Sequence, residues 1–167
     1  MEVITVGIAD CQVSNDPNSL LITHALGSCI AVAVYDPQTH VAGMLHFMLP
    51  DSKTSAEMAK QRPHMYADTG IPDLFHAAYA RGADKRRMIV RLVGGAQILD
   101  PNGIFNIGKK NHAACRKILW QAGVLIHAEE VGGNISRTVR LEVAGGRLQW
   151  NSGGGPPNEL SAKKGGV

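Results

Sequence analysis

Long apolar runs are missing from this chain of 167 residues. None reaches the roughly 18 to 20 residues that a bilayer span needs, and the opening MEVITVGIAD has no basic region followed by a long apolar core. Direct membrane insertion is therefore excluded, and the cytoplasm is the expected compartment. Cysteine is scarce as well. Cys11, Cys29 and Cys115 are an odd number at wide spacings, which suits neither a disulfide framework nor paired CxxC zinc ligands. Three free thiols are expected, with neither metal nor cofactor. Excess charge is also small, 17 Lys and Arg against 14 Asp and Glu, so nucleic acid is not an expected partner unless basic residues cluster on one face. The nearest clusters, Lys85 to Arg87 and Lys109 with Lys110, read as solvated ends of elements. No internal repeat of useful length is present.

What the chain does have is 44% hydrophobic and 19% charged residues, enough for one well-buried core and too little length for two ordinary domains. Residues 1–151 are expected to form that domain. The remainder, 152–167, is rich in Gly, Pro and Ser and almost without apolar side chains, so it reads as a disordered tail that cannot offset its ordering entropy.

β-Branched VITVGIA reads as a strand up to Asp10, SNDPNS as a turn, and LLIT as a second strand. IAVAVYD and HVAGMLHFML form a hairpin about DPQTH. Pro50 to Pro63 is polar loop with one helical turn in SAEMAK. Ile71, Leu74, Phe75 and Ala78 recur at helical spacing, which predicts a helix from Asp68 to Arg81, capped by Asp68 or Thr69, with Pro72 in its first turn and Gly82 as its stop. RMIVRLVGG is the next strand, and AQILDPNGIFNIG a loop that exposes apolar side chains. A second helix is expected from Lys109 to Ala122, its buried face Ala114, Cys115, Ile118, Leu119 and Ala122, with Gly123 ending it. VLIHAEEV reads as a strand, and TVRLEV alternates Val139, Leu141 and Val143 inward before a turn into RLQW.

Among the thiols, Cys29 stands apart. Gly27 and Ser28 before it are small enough for a carbonyl to approach, and a sharp turn there leaves N–H groups free to hold an oxyanion. A thiol with a pKa near 8.5 is only slightly ionised at neutral pH, so it needs a base. His46, in the hairpin partner of the Cys29 strand, is the candidate. A histidine satisfied by a backbone carbonyl inside the hairpin is the alternative reading, and His24 competes by proximity. His40 belongs to the turn, and His64, His76, His112 and His127 have no small-residue turn beside them. Cys115 lies on a helix stripe as a small hydrophobe, and Cys11 follows a strand with no base nearby. Zinc held by His24, Cys29 and His46 matches no usual spacing and lacks a fourth ligand.

Taken in order, LITHALGSCIAVAVYD, AGMLHFMLPDS, YADTGIPDL, VGGAQIL, NIGKKNHAACRKIL and EEVGGNISRTV resemble the chemoreceptor glutamine deamidases called CheD, over nearly the whole length from Val6 to Trp150. Ser136 stands where that family usually has glycine before its arginine, here Arg137. The resemblance implies a layered α/β sandwich of mixed, largely antiparallel sheet with two main helices, similar to the deamidase domain of the cytotoxic necrotizing factors. It implies Cys29 as nucleophile, His46 as base and Thr23 as the residue that orients the imidazole, with Gly27 and Ser28 shaping the oxyanion turn. The implied substrate is a glutamine side chain in the cytoplasmic domain of a chemoreceptor, with glutamate methyl esters as a second possibility. The implied partner is the phosphatase CheC, which acts on phosphorylated CheY. Ile104 and Phe105, in the loop from Ile98 to Ile107, are candidate anchors for a receptor helix or for CheC. A regulator of CheC without deamidase activity is the competing expectation; an unrelated cysteine peptidase is disfavoured because this small fold uses the whole ordered chain.

Overall fold

The computed structural model describes residues 1–98, 100 and 102–162. Its strands are β1 (Glu2–Thr5), β2 (Asp10–Ser14), β3 (Ser19–Leu26), β4 (Ile30–Asp36), β5 (Val41–Phe47), β6 (Ile89–Gly94), β7 (Ala128–Val131), β8 (Arg137–Glu142), β9 (Leu148–Asn151) and β10 (Asn158–Glu159). Its helices are α1 (Ala56–Gln61), α2 (Ala67–Ala80) and α3 (Ile107–Gln121). Two five-stranded sheets result, one in the order β1-β3-β8-β9-β10 and the other β2-β5-β4-β6-β7. Both are mostly antiparallel, with parallel pairing only for β1 with β3 and β6 with β7.

The second sheet lies in the middle of a three-layer stack, and the period-two alternation of its strands shows why. Ile30, Val32 and Val34 of β4 pack with Leu45, Phe47, Val90 and Leu92 against Leu74 and Phe75 of α2 and Cys115 and Leu119 of α3. The intervening Ala31, Ala33 and Tyr35 face the other sheet and meet Leu21, Val139, Leu141 and Leu148. Bulky β-branched side chains thus point at the helices, while small ones let the two sheets close on each other.

The expected β4–β5 and β8–β9 hairpins are present. Elsewhere the boundaries move, each for a visible reason. VITVGIA is not one strand: β1 stops at Thr5, Ala9 takes a left-handed φ of 56°, and Asp10 accepts from the N–H groups of Gly7 and Cys11. That Asx turn sends the chain to the other sheet as β2. α2 begins at Ala67 with Tyr66 as its N-cap and no side-chain cap bond. Asp68 instead accepts from Ser52, and Thr69 donates to the Pro63 carbonyl. Pro72 consequently lies inside the helix, beyond its first turn. α3 starts two residues before the expected Lys109, Ala122 is exposed at its end rather than on the buried face, and β7 covers only the second half of VLIHAEEV.

The basic cluster is only partly solvated. Arg86 pairs with Asp84 on the surface, but Arg87 bonds to the fully buried Asp36. The expectation of a disordered tail also fails for part of 152–162. Asn158 and Glu159 pair with Trp150 and Gln149, the Leu160 side chain packs on the inter-sheet core, and Arg91 donates to the Leu160 carbonyl. A buried guanidinium needs acceptors, and this short segment supplies one. The rest of the expected tail, 163–167, lies outside the described residues.

Candidate functional site

Parity along the hairpin settles which side chains can meet. Cys29, just before β4, shares the parity of Ala31 and packs on the inter-sheet core. His46 stands opposite Ala31 in the β4–β5 register, so the thiol and the imidazole are diagonal neighbours on one face of one sheet. Such neighbours lie about 7–8 Å apart, within reach of long side chains. Thr23 comes from the other sheet. Its hydroxyl lies 2.7 Å from His46 Nδ1 and also donates to the Val6 carbonyl at 2.7 Å. Thr23 and His46 are therefore in contact, and Cys29 lies on the same sheet face as His46 without a hydrogen bond to it, whereas His24 sits on the exposed side of β3.

Hydrogen counting fixes the tautomer. A hydroxyl has one hydrogen, and a carbonyl can only accept. The Thr23 hydrogen goes to Val6, so Nδ1–H of His46 donates to Thr23 and Nε2 keeps its lone pair. Nε2 is buried and has no hydrogen-bond partner among the described residues. Burial depresses the imidazole pKa to about 4, opposed by the carboxylate of Asp10, which faces His46 across the β2–β5 pair. Burial likewise raises the Cys29 thiol, while its own backbone N–H works the other way. At neutral pH the Cys29 thiol and the His46 imidazole both rest neutral.

The turn at 27–29 has all three carbonyls tied back into the protein. Gly27 O accepts from the Ala96 N–H and Cys29 O from the Gly95 N–H, both at 2.8 Å. Ser28 O accepts from the Asn111 side-chain amide at 2.9 Å. Among the described residues, the N–H groups of Gly27, Ser28 and Cys29 donate to no other backbone or side-chain oxygen. Gly94 makes the approach possible: its φ is +119°, and a Cβ there would lie 2.3 Å from Cys29 O. Buried Arg137 pairs with Glu130 and reaches the Gly94 carbonyl, holding this support from behind.

A cavity of about 200 Å³ opens beside Ser28, lined among others by Ile98, Phe105, Ile107 and Gly108. Phe105, which lines it, and the neighbouring Ile104 are exposed, 63% and 73%. A larger groove of about 800 Å³ runs along Trp120, Leu125 and Leu160 and touches none of the three residues above. Among the described residues there is no cluster of three His, Cys, Asp or Glu side chains able to hold a metal, and no helix is long and apolar enough to cross a membrane.

Cys11 and Cys115 take no part. Both lie on the helix-facing core, and burial, aided by Asp10 for Cys11 and by Glu129 for Cys115, pushes the Cys11 thiol up to about 12 and the Cys115 thiol higher still. Sequence reasoning missed Val6, Asp10, Gly94 and Asn111. Only Asn111 left a signal: it holds an amide in a slot of the buried 111, 115, 119 stripe.

The family model described as CheD chemotactic sensory transduction matches residues 48–152. A protein of Solibacter usitatus named "Probable chemoreceptor glutamine deamidase CheD" is 51% identical over 160 residues, 96% of this chain and 94% of that protein. "Probable chemoreceptor glutamine deamidase CheD 1" of Syntrophus aciditrophicus is 52% identical over 157 residues, 94% of this chain and 98% of that protein. Among solved structures, a Neisseria meningitidis protein of family-model DUF152 is 12% identical with a TM-score of 0.47, covering 80% of this chain and 63% of that one.

Proposed function

The chain belongs to the CheD family, and from that premise we propose that it deamidates glutamine side chains of chemoreceptors, with Cys29 as nucleophile, His46 as base and Thr23 as the orienting residue. The observation that carries the residue assignment is the unpartnered Nε2 of a His46 whose other nitrogen is held by Thr23. That is the state a general base requires.

Cys29 Sγ attacks the side-chain carboxamide carbon as His46 Nε2 takes the thiol proton. The carbonyl π pair moves onto oxygen, and the free N–H groups of the 28–29 turn receive the oxyanion. Collapse breaks the C–N bond, Nε2–H passes its proton to the nitrogen, and ammonia leaves a thioester. Nε2 then takes a proton from water as it attacks. The second oxyanion expels the thiolate, which recovers its proton from His46, and glutamate remains. A methyl ester needs only a different leaving group, so glutamate methylesterase activity belongs to the same proposal.

Residues 1–151 act in this reading as one catalytic unit working in the cytoplasm on the receptor's cytoplasmic helices. Phe105, which lines the cavity beside Ser28, and the neighbouring Ile104 serve as apolar anchors for a receptor helix or for CheC. Their exposure beside such a cavity supports that assignment. The likeness to the cytotoxic necrotizing factor deamidase domain belongs to the same proposal, supported by a Cys–His pair on neighbouring strands of a two-sheet sandwich. A purely regulatory role toward CheC would leave the free Nε2 without use. Mass spectrometry of a receptor cytoplasmic fragment incubated with wild type and with Cys29→Ala tests the reading. Conversion of glutamine to glutamate by wild type alone is expected; conversion by both proteins, or by neither, would overturn it.

A further inference from the structure

In a trans peptide unit the C=O and the following N–H point in opposite directions. Whatever grips a carbonyl therefore aims the next residue's N–H. Ser28 O and Cys29 N–H belong to one such unit, and the group that grips Ser28 O is the side-chain amide of Asn111, at 2.9 Å. The same nitrogen donates to Met48 O, also at 2.9 Å. Both hydrogens of one NH₂ group are thus spent, on the residue before the nucleophile and on the residue two past the base. Two carbonyl acceptors also leave no freedom to exchange the amide oxygen and nitrogen.

Asn111 is completely buried, and its Oδ1 has no partner among the described residues. An apolar residue at this helix position would bury the stripe more cheaply, since an unpaired buried acceptor is costly. The helix is also brought unusually close. A Cβ on Gly108 would lie 2.5 Å from the carbonyl oxygens of Gly95 and Ala96, the residues whose N–H groups hold Cys29 O and Gly27 O. The first turns of α3 brace the turn twice, once through a side chain and once through backbone.

We infer that Asn111 is a positioning residue for deamidation, which locks the Ser28–Cys29 peptide plane so that the Cys29 N–H faces the developing oxyanion. The inference rests on the deamidase reading. Without the amide, nothing holds Ser28 O inward, the plane is free to flip, and the N–H turns away. Substrate contacts and the thiol–imidazole pair are left in place.

Two reactions of the same thiol separate this role from simple structural support. Alkylation by iodoacetamide needs the thiolate but develops no oxyanion, whereas deamidation needs both. In Asn111→Ala and Asn111→Leu, kcat for ammonia release should fall on the order of 10²-fold, as for loss of one oxyanion donor. KM should stay within about threefold of wild type, and the Cys29 alkylation rate should fall far less than kcat, because the thiolate loses only the pull of the Cys29 N–H. Equal loss of alkylation and deamidation, or an unchanged kcat in a folded variant, would overturn the inference. Should both variants fail to fold, wild type still decides. A peptide bearing the aldehyde analogue of the glutamine side chain adds reversibly to Cys29, and the Cys29 amide proton should move downfield in the NMR spectrum while the Asn111 NH₂ protons stay protected from exchange. A Cys29 amide that does not move, or a rapidly exchanging Asn111 amide, overturns it. Wild type that releases no ammonia removes the deamidase reading and this inference together, whereas an active wild type with a dead Cys29→Ala leaves that reading standing whatever Asn111 does.

Discussion

The Thr23 hydroxyl sits 2.7 Å from His46 Nδ1 and gives its only hydrogen to Val6, so a single threonine dictates which imidazole nitrogen keeps its lone pair. Thr23→Val keeps the shape and removes the acceptor, leaving a buried Nδ1–H unpaired and the ring free to take the other tautomer. The loss in kcat should be large but below the roughly 10²–10⁴-fold that a positioned base contributes in full. Thr23→Ser should restore most of it. Equal rates for the Val and Ser variants would show that the hydroxyl does not select the tautomer.

Thiol reactivity should be ordered. Cys29 is half-buried at a turn, Cys11 is held up to about 12 by burial and by Asp10, and Cys115 is fully buried. Peptide mapping after brief iodoacetamide treatment near neutral pH should find Cys29 labelled first and Cys115 last, because rate follows thiolate fraction and access. His46→Ala should slow the Cys29 reaction and leave the other two unchanged.

The depressed His46 pKa has a signed consequence for stability. Above pH 6.5 the imidazole is neutral in folded and unfolded chains and contributes no pH dependence. Between 6.5 and about 4 the unfolded chain binds a proton that the folded one refuses, so stability is lost as pH falls, by up to about 3 kcal/mol. Asp36 acts in a lower window: burial works against its charge, but Arg87 and the N–H groups of Asp84 and Gln38 hold it well below the usual carboxylate range. Urea unfolding at pH 7 and 4.5 should show wild type losing more stability than His46→Gln. In the same way, the acid limb of kcat/KM should lie nearer pH 4 than 6.5.

Deleting residues 158–167 should destabilise the protein by about 1–3 kcal/mol, since β9 loses its partner strand, Leu160 its packing and the buried Arg91 one acceptor. A drop of several degrees in Tm is expected, with deamidation at 25 °C retained. An unchanged Tm would show that the β10 contacts contribute nothing.

What could be read from sequence was whatever local pattern carries. The β4–β5 hairpin follows from two apolar runs about a turn, while the register that puts Cys29 and His46 on one face comes from the structure. The α2 stripe follows from apolar i, i+4 spacing, and the α3 stripe does so at Cys115 and Leu119 but not at Asn111 or Ala122. Illegible were the features made by distant segments. No local pattern says that the chain changes sheets between Thr5 and Asp10, because β-branched residues suit either sheet. Nor does one say that Asn158 and Glu159 join β9, since two residues bury too little to leave a signature. The pairing of Thr23 with Val6 came from neither period nor propensity; it exists only because β1 lies parallel to β3.

Thr23 rides on one sheet while Cys29 and His46 ride on the other, and β3 gains its antiparallel neighbour only from residues 137–142. During synthesis Cys29 and His46 emerge early, but the strand that carries Thr23 lacks its antiparallel neighbour until residues 137–142 are made. A product truncated before residue 137 therefore carries the thiol and the imidazole without the complete sheet that sets Thr23 against His46. On the proposed deamidase reading, activity would thus depend on completion of the strand at 137–142.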